Sequence, residues 1–320
     1  MIYLAVTLFV LIALLVLGPR QKVDLSAKFD ANLVGNDPET YIKTKEAEFE
    51  DIREGCAKEI IWAKKAGEKT DLSIVYIHGF SATKEEIRPV PDVVAKAKGA
   101  NVFYTRMRGH GRDGAAMGAV DLNEWIYDFE EAFAIGQAIG KRVVVICTSN
   151  GAPITLSALS LQDKRAFLKG IIFVSPNFEL RNKASKLGNL AFAKIWSPLL
   201  LGRSIGFEPL NEGHEKYWTY QYPPYAVVPM VRLLSYFKRI EPASFTMPAL
   251  FMYAREDKIV SSEKIEEVAA NWGGPSKLHP LTLTKTDDPD AHVTMGDIAS
   301  PSQTKTSAKI MIEWLRGLAD

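Results

Sequence analysis

Cysteine is scarce in this 320-residue chain: Cys56 and Cys147 are the only two. Two cannot make a disulfide framework, and with Cys147 at the end of an apolar run both are expected to be reduced. Charge of either sign is not in excess either. Lysine and arginine total 39 against 38 aspartates and glutamates, a formal net charge of +1, so electrostatics gives no support for a nucleic-acid partner. No C-x-x-C or H-E-x-x-H pattern occurs, which leaves a zinc site without support, and no cofactor or metal is expected. Apolar residues, by contrast, make up 47% of the chain. That is enough to bury a large core in one α/β domain with an appendage.

The first 17 residues carry no charged side chain and are nearly all apolar, at the short end of the roughly 17 to 25 that a membrane-spanning helix needs. A cleaved signal peptide would have a basic start and a small-residue exit, and both are missing, so residues 1–19 are expected to be an uncleaved anchor with residues 2–17 in the membrane, a signal-like segment being the other reading. Arg20, Lys22 and Lys28 follow the run. The positive-inside rule then places the remainder of a single-span protein in the cytoplasm. Residues 20–57 read as a polar leader with a short helix in Lys43 to Asp51, and residues 58–320 as the main domain.

Within that domain strand and helix signals alternate. Runs rich in β-branched and aromatic residues at Glu59 to Ala63, Leu72 to Ile77, Asn101 to Tyr104, Arg142 to Ile146, Leu168 to Val174, Met247 to Tyr253 and Leu278 to Leu283 read as strands. Leu122 to Ile139 reads as an amphipathic helix, with Trp125 and Phe129 four apart and its acidic residues on the opposing side. Lys84 to Lys98 is helical with a break at Pro89 and Pro91, and Lys305 to Leu318 is a closing helix. From Asn177 to about Ala243 the alternation fails and aromatic and apolar residues take over.

Ser149 stands in RVVVICTSNGAPITL, a strand, sharp turn and helix in succession. A serine on such a turn projects its hydroxyl above the sheet, and the turn asks for small residues two positions to either side because the strand and helix backbones run close together. Gly151 meets that need, while Cys147 stands where glycine is usual. Taken alone, Ser149 reads equally well as an N-cap.

Further motifs weigh on that choice. His78-Gly79-Phe80 follows the second strand, Arg108-Gly109-His110-Gly111 the third, and VYIHGFSA, RMRGHGR and HVTMGDI are the fullest matches. With these the chain resembles the α/β-hydrolase family, in particular its bacterial serine esterases and lysophospholipase or monoacylglycerol-lipase-like members. The resemblance implies a mostly parallel sheet with helices on both faces and a helical cap over residues 177–243. It further implies Ser149 as nucleophile, Asp257 after the next-to-last strand as acid with Glu256 as runner-up, and His292 before the last helix as base, in that order along the chain. The N–H groups of Phe80 and Asn150 would hold the oxyanion. His110 precedes the serine and is expected to be structural, His214 to lie at the surface, and His279 to be packed in a strand. The implied reaction is hydrolysis of a small carboxylic ester with an apolar acyl group; acyl transfer through the same acyl-serine, or a silent binding module on this fold, are the other readings.

Overall fold

The run of valines and isoleucines at residues 143–146 forms a strand buried on both faces, as the β-branched composition requires. In the computed structural model, which describes residues 2–20, 22–161 and 165–318, it is the centre of a seven-stranded sheet. The strands in chain order are β1 (Glu59–Ile61), β2 (Thr70–Ile77), β3 (Asn101–Tyr104), β4 (Gly140–Thr148), β5 (Leu168–Val174), β6 (Ile205–Gly206), β7 (Gln221–Tyr222), β8 (Ala249–Ala254) and β9 (Ser276–Leu281). The sheet runs β1-β3-β2-β4-β5-β8-β9, antiparallel at β1–β3 and parallel elsewhere, while β6 and β7 form a separate antiparallel pair.

Period-two alternation divides the strand residues between two cores. Val75, Ile77, Val143, Val145, Cys147 and Phe173 face one; Ile74, Tyr76, Val144, Ile146, Ile172 and Val174 face the other. Of the helices, α1 is Ile2–Leu17, α2 Pro38–Glu46, α3 Val90–Lys98, α4 Gly114–Ala119, α5 Leu122–Ile139 and α6 Gly151–Leu161. They are followed by α7 (Ala193–Leu201), α8 (Glu212–Tyr217), α9 (Val228–Phe237), α10 (Ser262–Ala270) and α11 (Thr304–Arg316). Residues of α5, α6, α9 and α10 fill the first core, and those of α3 and α11 the second. Between residues 177 and 243 lie α7, α8, the β6–β7 pair and α9, held to the sheet domain by bonds such as Thr219 N–H to Ser81 O, 2.8 Å.

The N-terminal expectation fails. Among the described residues no helix is long and apolar enough to cross a membrane. Helix α1 has 16 residues, about 24 Å at the helical rise, short of a hydrocarbon core about 30 Å thick. It stops at Gly18-Pro19, where the chain runs against residues 191 and 192: Ala191 N–H donates to Leu15 O (2.9 Å) and Phe192 N–H to Pro19 O (3.3 Å). The expected membrane anchor through residues 2–17, the single span and the cytoplasmic placement that rested on it are overturned together.

The leader is also more than a linker. Its helix lies at Pro38–Glu46, earlier than expected, because the Asp37 side chain caps it by accepting Thr40 N–H and Pro38 supplies a preset first turn. Leu25, Val34 and Ile42 are buried against the α5 side of the core. That cover explains a second correction: Asp128, Glu130 and Glu131 of α5, expected on an open face, are buried. Glu131 accepts from Tyr41 Oη (2.7 Å) and pairs with Lys58, and Asp128 accepts Arg108 N–H.

Candidate active site

Strand β4 ends at Thr148 and α6 begins at Gly151, so Ser149 and Asn150 are the whole turn. Ser149 has φ 47°, in the left-handed region that a residue with a Cβ occupies only when its surroundings hold it there. Here Ser149 N–H donates to Val174 O and Asn177 N–H to Ser149 O, both at 3.0 Å. Gly151 is obligatory, since a Cβ on it would lie 2.6 Å from Ile77 O and 3.0 Å from His78 O. Cys147, the departure from the usual glycine, is fully buried in the sheet; burial pushes its thiol up, which leaves it protonated and inert.

Ser149, Asp257 and His292, more than a hundred residues apart at the extremes, meet above the carboxyl ends of the parallel strands. His292 Nε2 is 2.9 Å from Ser149 Oγ, and His292 Nδ1 is 2.9 Å from Asp257 Oδ2. Asp257 is buried just after β8, and its Oδ1 accepts Ile259 N–H (2.8 Å) and Val260 N–H (2.9 Å), which leaves Oδ2 for the imidazole. Glu256, the runner-up, is exposed. A residue not foreseen, Asp288, shapes the His292 loop: its Oδ2 accepts His292 N–H (3.0 Å) and Val293 N–H (2.7 Å), and its Oδ1 accepts Asp290 N–H (3.0 Å). Burial disfavours the His292 imidazolium, but the adjoining Asp257 carboxylate outweighs that, with Asp288 and Glu86 adding to it. The imidazole pKa is therefore raised above its ordinary value.

The loop after β2 lies against the serine. Gly79 N–H donates to Glu86 Oε2 at 2.7 Å. The next amide, Phe80 N–H, and the Asn150 N–H on the other loop donate to no protein acceptor among the described residues. His78 and His110 sit behind this loop with ring centroids 4.9 Å apart. His78 Nε2 accepts Met107 N–H (3.0 Å), so Nδ1 carries the proton and donates to Gly79 O (2.8 Å). Burial holds His78 well below the imidazole range and lowers His110 to about 4. Both are neutral props, which is the structural part expected of His110.

Over Ser149 lies a cavity of about 280 Å³ roofed by residues of segment 177–243, among them Leu180, Phe207, Trp218, Tyr222 and Met230. Its lining carries the carboxyl groups of Glu86, Glu208, Asp288 and Asp290 and, among the described residues, no lysine or arginine. His214 is a correction: it is buried and lines this cavity, not the surface. Its ring stacks on Phe207 and meets Trp218 edge-on, and its Nδ1 accepts Leu210 N–H at 3.1 Å, so the neutral ring carries its proton on Nε2. The polar context of Gly213-His214-Glu215-Lys216 hid this, because α8 turns one residue of that run inward. His279 is half-buried on β9 and away from the cavity lining.

Comparison with known proteins places this geometry in context. A thermostable monoacylglycerol lipase of Bacillus sp. (strain H-257) is 28% identical over 89 residues, 28% of this chain; the chain spans 35% of the length of that curated relative. Among solved structures, a chain from the metagenome-derived lipolytic enzymes LipS and LipT has a TM-score of 0.67 at 17% identity, covering 83% of this chain and 99% of that one. A soluble variant of the Saccharomyces cerevisiae monoglyceride lipase, bound to a substrate analogue, has a TM-score of 0.59 at 14% identity, covering 82% and 92%. These likenesses establish the α/β-hydrolase fold. Over residues 68–279 the chain matches the family model Hydrolase_4, described as serine aminopeptidase, S33, and it belongs to that family of hydrolases.

Proposed function

We propose that this protein hydrolyses carboxylic esters with an apolar acyl group and an uncharged alcohol part, through an acyl-serine intermediate. The observation that carries the reading is the unbroken hydrogen-bonded series from Ser149 Oγ to His292 to Asp257, with 2.9 Å at each step. Ser149 Oγ attacks the ester carbonyl carbon while His292 Nε2 takes its proton, and Asp257 fixes the tautomer and stabilises the imidazolium. The carbonyl oxygen, now anionic, is held by the N–H groups of Phe80 and Asn150. Collapse of the tetrahedral species breaks the bond to the alcohol oxygen, which leaves with the His292 proton. Water then attacks the acyl-serine, gives a proton to His292, and the acid departs as Ser149 recovers its own.

The substrate class follows from the cavity. Its apolar roof excludes water from the acyl chain, and the carboxyl groups of Glu208, Asp288 and Asp290, with no lysine or arginine in the lining among the described residues, disfavour an anionic alcohol part. Neutral monoacylglycerol-like esters fit better than lysophospholipids with a net negative headgroup, in keeping with the activity in the names of the relatives above. A series of p-nitrophenyl and glycerol esters of increasing acyl length, with an anionic lysophospholipid alongside, tests this. Turnover of the neutral esters, with products counted to separate hydrolysis from acyl transfer, is expected. Turnover of a peptide amide with none of any ester would overturn it.

A further inference from the structure

One buried carboxyl behind the oxyanion loop has no part in the steps above. Glu86 ends the 3-10 turn Lys84–Glu86 and is 2% exposed. Lys84 pairs with Glu59, and Arg88 with Glu59, Glu85 and Asp92, so the basic residues beside Glu86 in the chain are engaged elsewhere. Its Oε2 instead accepts two neutral donors, Gly79 N–H and Tyr76 Oη, each at 2.7 Å. Tyr76 Oη lies in turn 3.1 Å from Thr148 Oγ1, on the residue before Ser149. A single oxygen atom thus joins the end of β2, the loop beyond it and the end of β4. The carboxyl is also close to the nucleophile: a Cβ on Gly79 would lie 2.6 Å from Glu86 Oε1 and 3.2 Å from Ser149 Cβ.

We infer that Glu86 is a positioning residue for the oxyanion donors. By accepting the Gly79 amide it sets the peptide that follows, so that Phe80 N–H faces the reacting carbonyl, and through Tyr76 and Thr148 it keeps that donor in register with Ser149. The inference rests on the ester reading above and adds to it a residue that, although it borders the cavity, acts on the reacting atoms through Gly79 and Tyr76. Its work is done as a hydrogen-bond acceptor at a fixed place. Burial raises the Glu86 carboxyl to about 7, consistent with a role in which the negative charge is not the working part. A glutamine oxygen can therefore stand in for the carboxylate oxygen, whereas an aspartate, one methylene shorter, keeps the charge but withdraws the acceptor.

The test compares Glu86→Gln and Glu86→Asp on p-nitrophenyl butyrate, with thermal unfolding of each to show that it is folded. A displacement of about 1 Å in such a site costs up to about a hundredfold in rate, so for Glu86→Asp a fall in kcat of at least tenfold is expected, with KM within about threefold. Glu86→Gln is expected to keep kcat within about threefold of the native protein, because its oxygen restores both bonds. The reverse pattern, aspartate active and glutamine impaired, would overturn the inference, and so would two variants that both retain the native kcat. A native protein inactive on every ester would remove the ester reading and this inference with it, an outcome distinct from an active native protein with indifferent variants.

Discussion

Ser149 Oγ is an ordinary alcohol until an imbalance of charge around His292 makes that ring a better proton acceptor, and the residues supplying the imbalance can be named. Asp257, and behind it Asp288 and Glu86, raise the His292 pKa against the opposing effect of burial. Only the neutral ring can take the serine proton, so kcat/KM should climb with pH through the His292 pKa, and that limb should lie above the unperturbed imidazole value of about 6.5. A pH profile on a neutral ester checks it; a midpoint below 6 would show that burial outweighs the carboxylates. Asp257→Asn should lower kcat by about 10⁴-fold with the fold intact, since the amide no longer fixes the tautomer. At this scale the sequence discloses what chain order discloses. Ser149, Asp257 and His292 stand in sequence order after recognisable strands, as do Phe80 and Asn150. Glu86, Asp288 and His214 were illegible because their roles depend on burial, and nothing local separates buried Glu86 from its less buried neighbour Glu85.

The turn that carries Ser149 is where local structure and the proposed chemistry are joined most closely. Strand β4 delivers Ser149, α6 begins two residues later, and Gly151 lets the helix pass within contact of the β2 backbone. The atoms that an added methyl would strike are carbonyl oxygens of Ile77 and His78, which no side-chain rotation can move. Gly151→Ala should therefore lower stability by about 1–3 kcal/mol and also reduce kcat, because relief can come only from shifting the turn. Urea denaturation measures the first effect; an unchanged midpoint would mean that the turn has slack. Elements with strong local signals were legible: α5 spans Leu122–Ile139 with Asp121 and Glu124 in a capping box, and β5 spans Leu168–Val174. The apolar N-terminal run misled, because composition announces a membrane helix while length decides it, and Gly18-Pro19 ends α1 after 16 residues.

For the molecule as a whole, the boundary expected near residue 58 is crossed by the core itself. Leu25, Val34 and Ile42 belong to the same hydrophobic cluster as Phe129 and Val145, and a buried ion pair crosses the boundary too. Glu46 holds Arg106 with two bonds, 2.8 and 2.9 Å, and Arg106 in turn donates to His110 O in the loop behind the active site. Removing one partner leaves the other charge buried and unpaired, so Glu46→Ala should cost about 3–5 kcal/mol, against much less for an exposed pair such as Lys141–Asp71. Denaturant midpoints of Glu46→Ala and Asp71→Ala decide it, and equal small losses would show that the leader packs loosely. A polar leader looks like a linker in the sequence because its anchoring apolar residues, Val23, Leu25, Ala27 and Phe29 in alternation and then Val34, Tyr41 and Ile42, are separated by polar ones and form no strand of the sheet. The claim on which all of this turns is an activated serine at position 149, and a fluorophosphonate probe with mass-spectrometric mapping tests it most directly. The expected result is one adduct on Ser149, absent from a folded Ser149→Ala variant and slowed in Asp257→Asn; a folded native protein left unlabelled, or labelled elsewhere and equally in Ser149→Ala, would contradict it.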